Sequence, residues 1–284
     1  MTRKSVYKLL SAVSFILLTC IDSYALEAVA TPREVKPGDA FLLTVEAAPA
    51  PRAEAVFRGK KIPLYAAPDN RLVALVPVGI DTPPGRYDVT VKRGDGEIKA
   101  PVTVMPHRFR TIKLTLPEEK VTLSPENLKR AAREAARLKK IWPETTARVW
   151  AGRFVPPTDT EVTEVFGVKR IMNEKKTSVH RGMDFRGKTG TPVRAINSGR
   201  VVLEDELFFG GNTLIIDHGT GLYSVYMHLS RFNVKEGEEV SAGQIIGFIG
   251  SSGRVTGPHL HMSVRLSGVS VNPESLFALR LHKP

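Results

Sequence analysis

The pattern of hydrophobic positions changes twice along the chain. From about Ala28 to Pro106 they fall in short runs: "FLLTVEA" (41–47), "RLVALVPV" (71–78), "YDVTVKR" (87–93) and "EIKAPVTVM" (97–105). The runs are rich in Val, Leu and Thr and are bounded by "KPGD", "TPPG" and "GDG", as strands closed by turns are. Gly94-Asp95-Gly96 reads as a tight hairpin link and Pro83-Pro84-Gly85 as a turn entry. Strands at this spacing predict a small immunoglobulin-like β-sandwich over 26–106. With no clustered His, Cys or carboxylates, it reads as a binding or spacer module.

Over 122–142, "TLSPENLKRAAREAARLKKIW", the period becomes helical. Ser124 suits an N-cap and Pro125 the first helical position. Leu128, Ala131, Ala135, Leu138 and Trp142 form one stripe, and Pro143 ends the pattern. Lys129, Arg130, Arg133, Arg137, Lys139 and Lys140 crowd the rest, which predicts a solvated face on a linker helix within 107–147. From Arg148 short strands return with many glycines between them, as in "TPVRAINSGRVVLEDE", "NTLIIDHGTGLYSVYMHLS" and "PHLHMSVRLSG". This texture predicts an antiparallel β domain over 148–284, so the molecule is expected to be mainly β.

The first 25 residues differ from all of this. Arg3, Lys4 and Lys8 precede an apolar run from Leu9 to Ile21, and Ser23-Tyr24-Ala25 is a small-x-small cleavage site. The segment predicts a secretory signal peptide, with a periplasmic or secreted mature chain that does not span the membrane. Cys20, the single cysteine, lies inside it. The mature chain then has no thiol, and any metal site must be built from His and carboxylate. A formal net charge of +12 favours an anionic cell envelope as a partner. Export, and the lack of a basic motif interleaved with aromatics, argue against nucleic acid.

Only 7 histidines occur, and His180, His228, His259 and His261 gather in strand-like stretches of the second half. "GPHLHMSV" places His259 and His261 two apart, on one face of a strand. "SVHRGMDFRG" places His180 and Asp184 four apart, also on one face, with Gly182 leaving space between them. Two imidazoles and one carboxylate suit a catalytic zinc site, with the fourth position left for water. Two histidines would then remain nearby for proton transfer and oxyanion support.

At these residues the sequence resembles the lysostaphin-like, or LytM-type, zinc metallopeptidases that cut the peptide part of peptidoglycan. The likeness runs from "VFGVKR" (165–170) through "HRGMDF", "GTPVRAINSGRV" and "GPHLHMSV" to "VNPESLF" (271–277), with the motifs in family order. It implies His180, Asp184 and His261 as ligands of one zinc ion, and His259 and His228 as the catalytic pair. The expected activity is a zinc endopeptidase acting on stem peptides or cross-bridges. The alternatives are a non-catalytic regulator that activates a wall amidase, and a secreted protease acting on glycine-rich proteins.

Other positions carry weaker expectations. His218 reads as structural, and Tyr226 is expected to share the face of His228, as substrate contact or packed aromatic. Asn212 is expected to shape a turn, and "RIMNEKKTSV" (170–179), with Asn173, to form a loop on the groove rim. His107 and His282 receive no role.

Overall fold

The computed structural model describes residues 27–46, 53–67, 71–93, 96–115, 123–142 and 146–281. The expected signal peptide with Cys20, Gly94 and Asp95 of the expected hairpin link, Pro143 and His282 lie outside the described residues.

Among the described residues, nine strands build the N-terminal unit. They are β1 (Glu27–Thr31), β2 (Glu34–Val35), β3 (Ala40–Glu46), β4 (Glu54–Phe57), β5 (Lys60–Ile62), β6 (Tyr65–Ala66), β7 (Leu72–Pro77), β8 (Gly85–Arg93) and β9 (Gly96–Val104). Two sheets result, ordered β1-β3-β7-β6 and β2-β9-β8-β4-β5. Phe41, Leu43 and Val76 from one meet Phe57, Val89 and Val102 from the other in a shared core, so this unit is a β-sandwich. Strands β8 and β9 pair antiparallel up to Arg93 opposite Gly96.

Strands β3 and β7 are buried on both faces. Their alternate residues Ala40, Leu42, Val73 and Leu75 point away from the sandwich and join Val271, Leu276 and Leu279 of the C-terminal unit. Two-sided burial explains why "FLLTVEA" and "RLVALVPV" are continuous apolar runs rather than alternating ones. Polar contacts close the same interface. Asn272 N–H donates to the Gly38 carbonyl at 2.6 Å, and Ala40 N–H donates to Ser275 Oγ at 2.9 Å. The N-terminal unit is thus packed onto the second, where a spacer needs only a tether.

The segment between the units contributes β10 (Thr111–Leu114) and the helix α1 (Pro125–Ile141). Thirteen residues beyond the end of α1, Phe154 begins the approach to the strands β11 (Val162–Glu164), β12 (Lys169–Met172), β13 (Lys176–Val179) and β14 (Met183–Arg186). Then come β15 (Pro192–Arg194), β16 (Gly199–Leu207), β17 (Gly211–Asp217) and β18 (Leu222–Phe232). The chain closes with β19 (Glu239–Val240), β20 (Ile245–Ile249), β21 (His259–Leu266), β22 (Val269–Val271) and the short helix α2 (Pro273–Phe277). The main sheet runs β11-β14-β21-β18-β17-β16-β19, with β20 on β18 and β15, and β22 on β21. Its pairings are antiparallel throughout, as the Gly-punctuated strands predicted.

This sheet too is covered on both sides. Leu214, Leu222 and Tyr226 face the large core, whereas Leu203, Ile215, Tyr223 and Val225 face the other way, under α1. Ser124 caps α1 by accepting from Asn127 N–H at 3.2 Å, and Pro125 opens it. The expected apolar stripe is only partly used. Leu138, Ile141 and Trp142 pack on the sheet, but Leu128 is 55% exposed. Nor is the basic face wholly solvated: Arg137 pairs with Asp205, and Arg130 pairs with Glu134 and donates to the Glu206 carbonyl at 3.1 Å.

The stretch expected as a rim loop, "RIMNEKKTSV", is instead the hairpin β12–β13, in which Met172 pairs with Lys176. Asn173 and Glu174, at φ 49° and 56°, make its turn. Strand β10 adds a third member in parallel, from Thr111 against Lys169 to Leu114 against Met172. The hairpin is small and largely solvated, so it needs little apolar patterning, and that absence suggested a loop.

Candidate metal centre

Pairing of β14 with β21 sets Asp184 directly opposite His261. Along β21 the side chains alternate: Leu260 and Met262 enter the core, while His259 and His261 emerge together on the opposite, groove face. The shared face predicted from their spacing is therefore present. His180 and Asp184 are not on one continuous strand, because β13 ends at Val179 and β14 begins at Met183. A bend through Gly182 brings them together. A Cβ on Gly182 would lie 2.5 Å from the Met262 carbonyl oxygen and 2.8 Å from His261 Nε2, so only glycine leaves room for that ring.

Three donor atoms converge at the bend. His180 Nε2 lies 3.0 Å from Asp184 Oδ1 and 3.0 Å from His261 Nδ1, and His261 Nδ1 lies 2.8 Å from Asp184 Oδ1. His180 Nδ1 is 3.0 Å from the Val165 carbonyl. A carbonyl only accepts, so in that bond Nδ1 carries the proton and Nε2 of the neutral ring presents a lone pair. A lone pair, a carboxylate oxygen and a second imidazole then face one point, an arrangement that a cation or a proton must reconcile. The donor set and its closeness fit a divalent metal of the zinc type.

The surroundings tune these groups further. Burial alone would raise the Asp184 carboxyl, but a proton shared with the facing His180 and His261 nitrogens outweighs it and holds the group well below the usual carboxylate range. Burial lowers His261, against the opposing pull of Asp184, which favours the neutral ring that a metal requires.

The other two histidines stand beside this set. The rings of His228 and His259 are 4.9 Å apart by centroid, and His228 is 6.2 Å from His261. His228 Nδ1 donates to the Ser252 carbonyl at 3.0 Å, and His259 Nδ1 to the Gly257 carbonyl at 2.9 Å. With Nδ1 committed as the donor in each ring, Nε2 is the nitrogen left to exchange a proton. Burial pushes His228 down to about 4, so it is neutral near pH 7. His228 has a left-handed backbone at φ 66°, and the register of β18 shifts just beyond it. Asn212, in β17 rather than in the turn expected for it, donates to the Leu229 carbonyl at 3.0 Å and so fastens the irregular part of β18.

That irregularity overturns the expected pairing of Tyr226 with His228 on one face. Tyr226 is fully buried, its hydroxyl accepts from Ile196 N–H at 2.9 Å, and it lies 3.0 Å from Ser224 Oγ. It is a packed aromatic. His218 continues the same buried chain, with Nε2 2.7 Å from Ser224 Oγ and Nδ1 2.7 Å from the Ser198 carbonyl, which agrees with its structural reading. His107 packs edge-on against Phe109, in the connecting segment.

The centre opens into a groove of about 450 Å³. One wall carries Ile112, Leu114 and Met172 from β10 and β12, and the other Arg254, Val255 and Thr256. Glu164 and Arg170 also line it, close to the donor set, and the sequence assigned a role to neither. Arg170 closes the "VFGVKR" stretch and Glu164 lies just ahead of it, but neither position carries a spacing that points to the ligands.

Comparison with known proteins assigns a family to this part of the chain. Residues 178–273 match peptidase family M23. The chain carries a peptidase family M23 domain. A DD-carboxypeptidase/endopeptidase Mpg of Neisseria meningitidis serogroup B is 39% identical over 121 residues, which is 43% of this chain and 28% of the relative. The peptidoglycan DD-endopeptidase ShyA of Vibrio cholerae is 44% identical over 98 residues, 34% of this chain and 23% of that protein. The likeness thus spans about a quarter of the length of these curated relatives. A solved structure from Pseudomonas aeruginosa assigned to peptidase M23 aligns over 85% of this chain and 94% of its own, with a TM-score of 0.66 and 28% identity. That alignment extends well beyond the M23 domain, into the N-terminal half.

Proposed function

We propose that the protein is an exported, zinc-dependent endopeptidase that hydrolyses amide bonds in the peptide part of peptidoglycan. The observation that carries the reading is the convergence of His180, Asp184 and His261 within 3.0 Å of one another beside two further histidines. These three residues would hold one zinc ion. Zinc in such a set supplies Lewis acidity at neutral pH, toward both a carbonyl and water. His228 and His259 both line the groove with Nδ1 engaged by a carbonyl, so Nε2 is the atom of each that would accept a proton from an attacking water. Once protonated, the same atom becomes a donor to the developing oxyanion or to the leaving amine. The names of the two curated relatives make the D-amino-acid cross-link the first bond to examine.

In this reading the N-terminal sandwich is immunoglobulin-like and holds the groove-wall strand β10 in place. The net charge of +12 concentrates the enzyme at an anionic envelope. The test uses the zinc-loaded mature chain on purified walls of two kinds, with D-amino-acid cross-links and with glycine bridges, beside a glycine-rich protein. New stem-peptide ends with the wild type, and none with His259→Ala despite equal zinc content, are expected. A wild type that binds zinc, releases nothing, and stimulates a wall amidase would instead make the protein a regulator.

A further inference from the structure

A row of three acidic and imidazole side chains crosses three neighbouring strands: Glu164 on β11, Asp184 on β14 and His261 on β21. Glu164 is the cross-strand partner of Asp184, and Asp184 of His261. Only the last two belong to the donor set. Glu164 stands behind His180, with Oε2 3.4 Å from its outer nitrogen Nδ1, and Arg170 joins Glu164 to Asp184. The Arg170 guanidinium forms a close ion pair with Glu164 and lies 3.3 Å from Asp184 Oδ2 through the same Nη2. Asp184 Oδ1, the other oxygen, is the one that faces both histidines.

We infer that Glu164 and Arg170 are a pair of positioning residues for the metal centre, which keep Asp184 presenting a single oxygen. This rests on the reading of the three ligands as a zinc site. A guanidinium on Oδ2 occupies the oxygen that a free carboxylate would also offer to the ion, so Asp184 is held to one-point ligation and a position stays open for chemistry. Arg170 alone would cost affinity by repelling a cation. Glu164 cancels that charge, so what remains of the pair is orientation. The placement of Arg170 depends on backbone well away from the site, since it pairs with Ser178 in the hairpin and with Ile112 of β10. The strand that follows the N-terminal unit therefore helps to aim a group at a metal ligand.

The charge-balanced double variant Glu164→Gln/Arg170→Met removes the pair without altering net charge, and Arg170→Lys keeps the charge while losing the planar fork. Zinc dissociation constants would be measured in the mature chain by competition with a chromophoric chelator. The visible spectrum of the cobalt-substituted protein and the unfolding of the metal-free protein complete the measurement. The double variant is expected to bind zinc about ten- to a hundredfold more weakly, with a smaller loss for Arg170→Lys. Its cobalt absorption should weaken as Asp184 becomes bidentate and coordination number rises, while unfolding of the metal-free protein stays near wild type. A merely structural role would lower stability and leave the cobalt spectrum alone. Should the double variant fail to fold, Arg170→Lys decides. Unchanged zinc affinity and an unchanged spectrum, in a wild type that binds zinc, would overturn the inference alone. A wild type that binds no zinc would overturn the ligand reading with it.

Discussion

At the scale of single residues, what could be read from the sequence was what is local. His259 and His261 share a face because a strand has a period of two, and that period is visible in any strand text. Gly182 was read as a space, and the space is where the His261 ring lies. Gly182→Ala is therefore expected to push that ring aside and weaken zinc binding by about tenfold or more, as measured by chelator competition. An affinity equal to wild type would mean the bend can absorb a methyl group. Glu164 and Arg170 were not legible, because strand pairing and a hairpin, rather than spacing, bring them to the ligands. Nor was the left-handed backbone of His228, which broke the face predicted for Tyr226.

His218 shows the same scale acting on stability. It is buried and neutral, with its value pushed down to about 4 by burial from an ordinary 6.5. Above pH 6.5 neither the folded nor the unfolded chain protonates it, so it adds no pH dependence. Between 6.5 and 4 the unfolded chain takes up a proton that the folded chain refuses, and stability falls as pH falls. The whole effect is roughly 3 kcal/mol, levelling off below pH 4. Urea unfolding between pH 7.5 and 4.5 should show a steeper loss in wild type than in His218→Asn. Parallel curves for the two would contradict the assignment.

Elements were legible where they follow a single rule. The helix α1 begins at Pro125, behind the cap read from Ser124, and β8 and β9 pair antiparallel as neighbouring strands. The continuous runs of β3 and β7 were recognised as strands, but the message of their continuity, burial on both faces, was not drawn from them. Alternation fails there because Leu42 and Leu75 serve a second core. Leu75→Ala, which leaves the sandwich core untouched, should destabilise the protein by about 2–5 kcal/mol in urea unfolding. A change below about 0.5 kcal/mol, typical of a surface position, would show that the two units are not energetically joined there. The β12–β13 hairpin and β10 escaped notice because short solvated strands are specified by their partners more than by their own residues.

For the whole molecule, a two-sheet sandwich and an antiparallel M23 domain share one interface, and the strand between them walls the groove. The chain order of motifs made the second unit readable, whereas the docking of the first needed the structure, since its contacts join residues more than 200 positions apart. The central claim is that this assembly hydrolyses a peptide bond of the wall. The most direct test is to incubate the zinc-loaded mature chain with a purified, cross-linked muropeptide dimer and follow the products by mass spectrometry. Conversion of the dimer to two monomers with gain of one water, lost in His259→Ala and in chelated protein, is the predicted result. An intact dimer, with zinc bound and with every type of wall cross-link tried, would contradict the account.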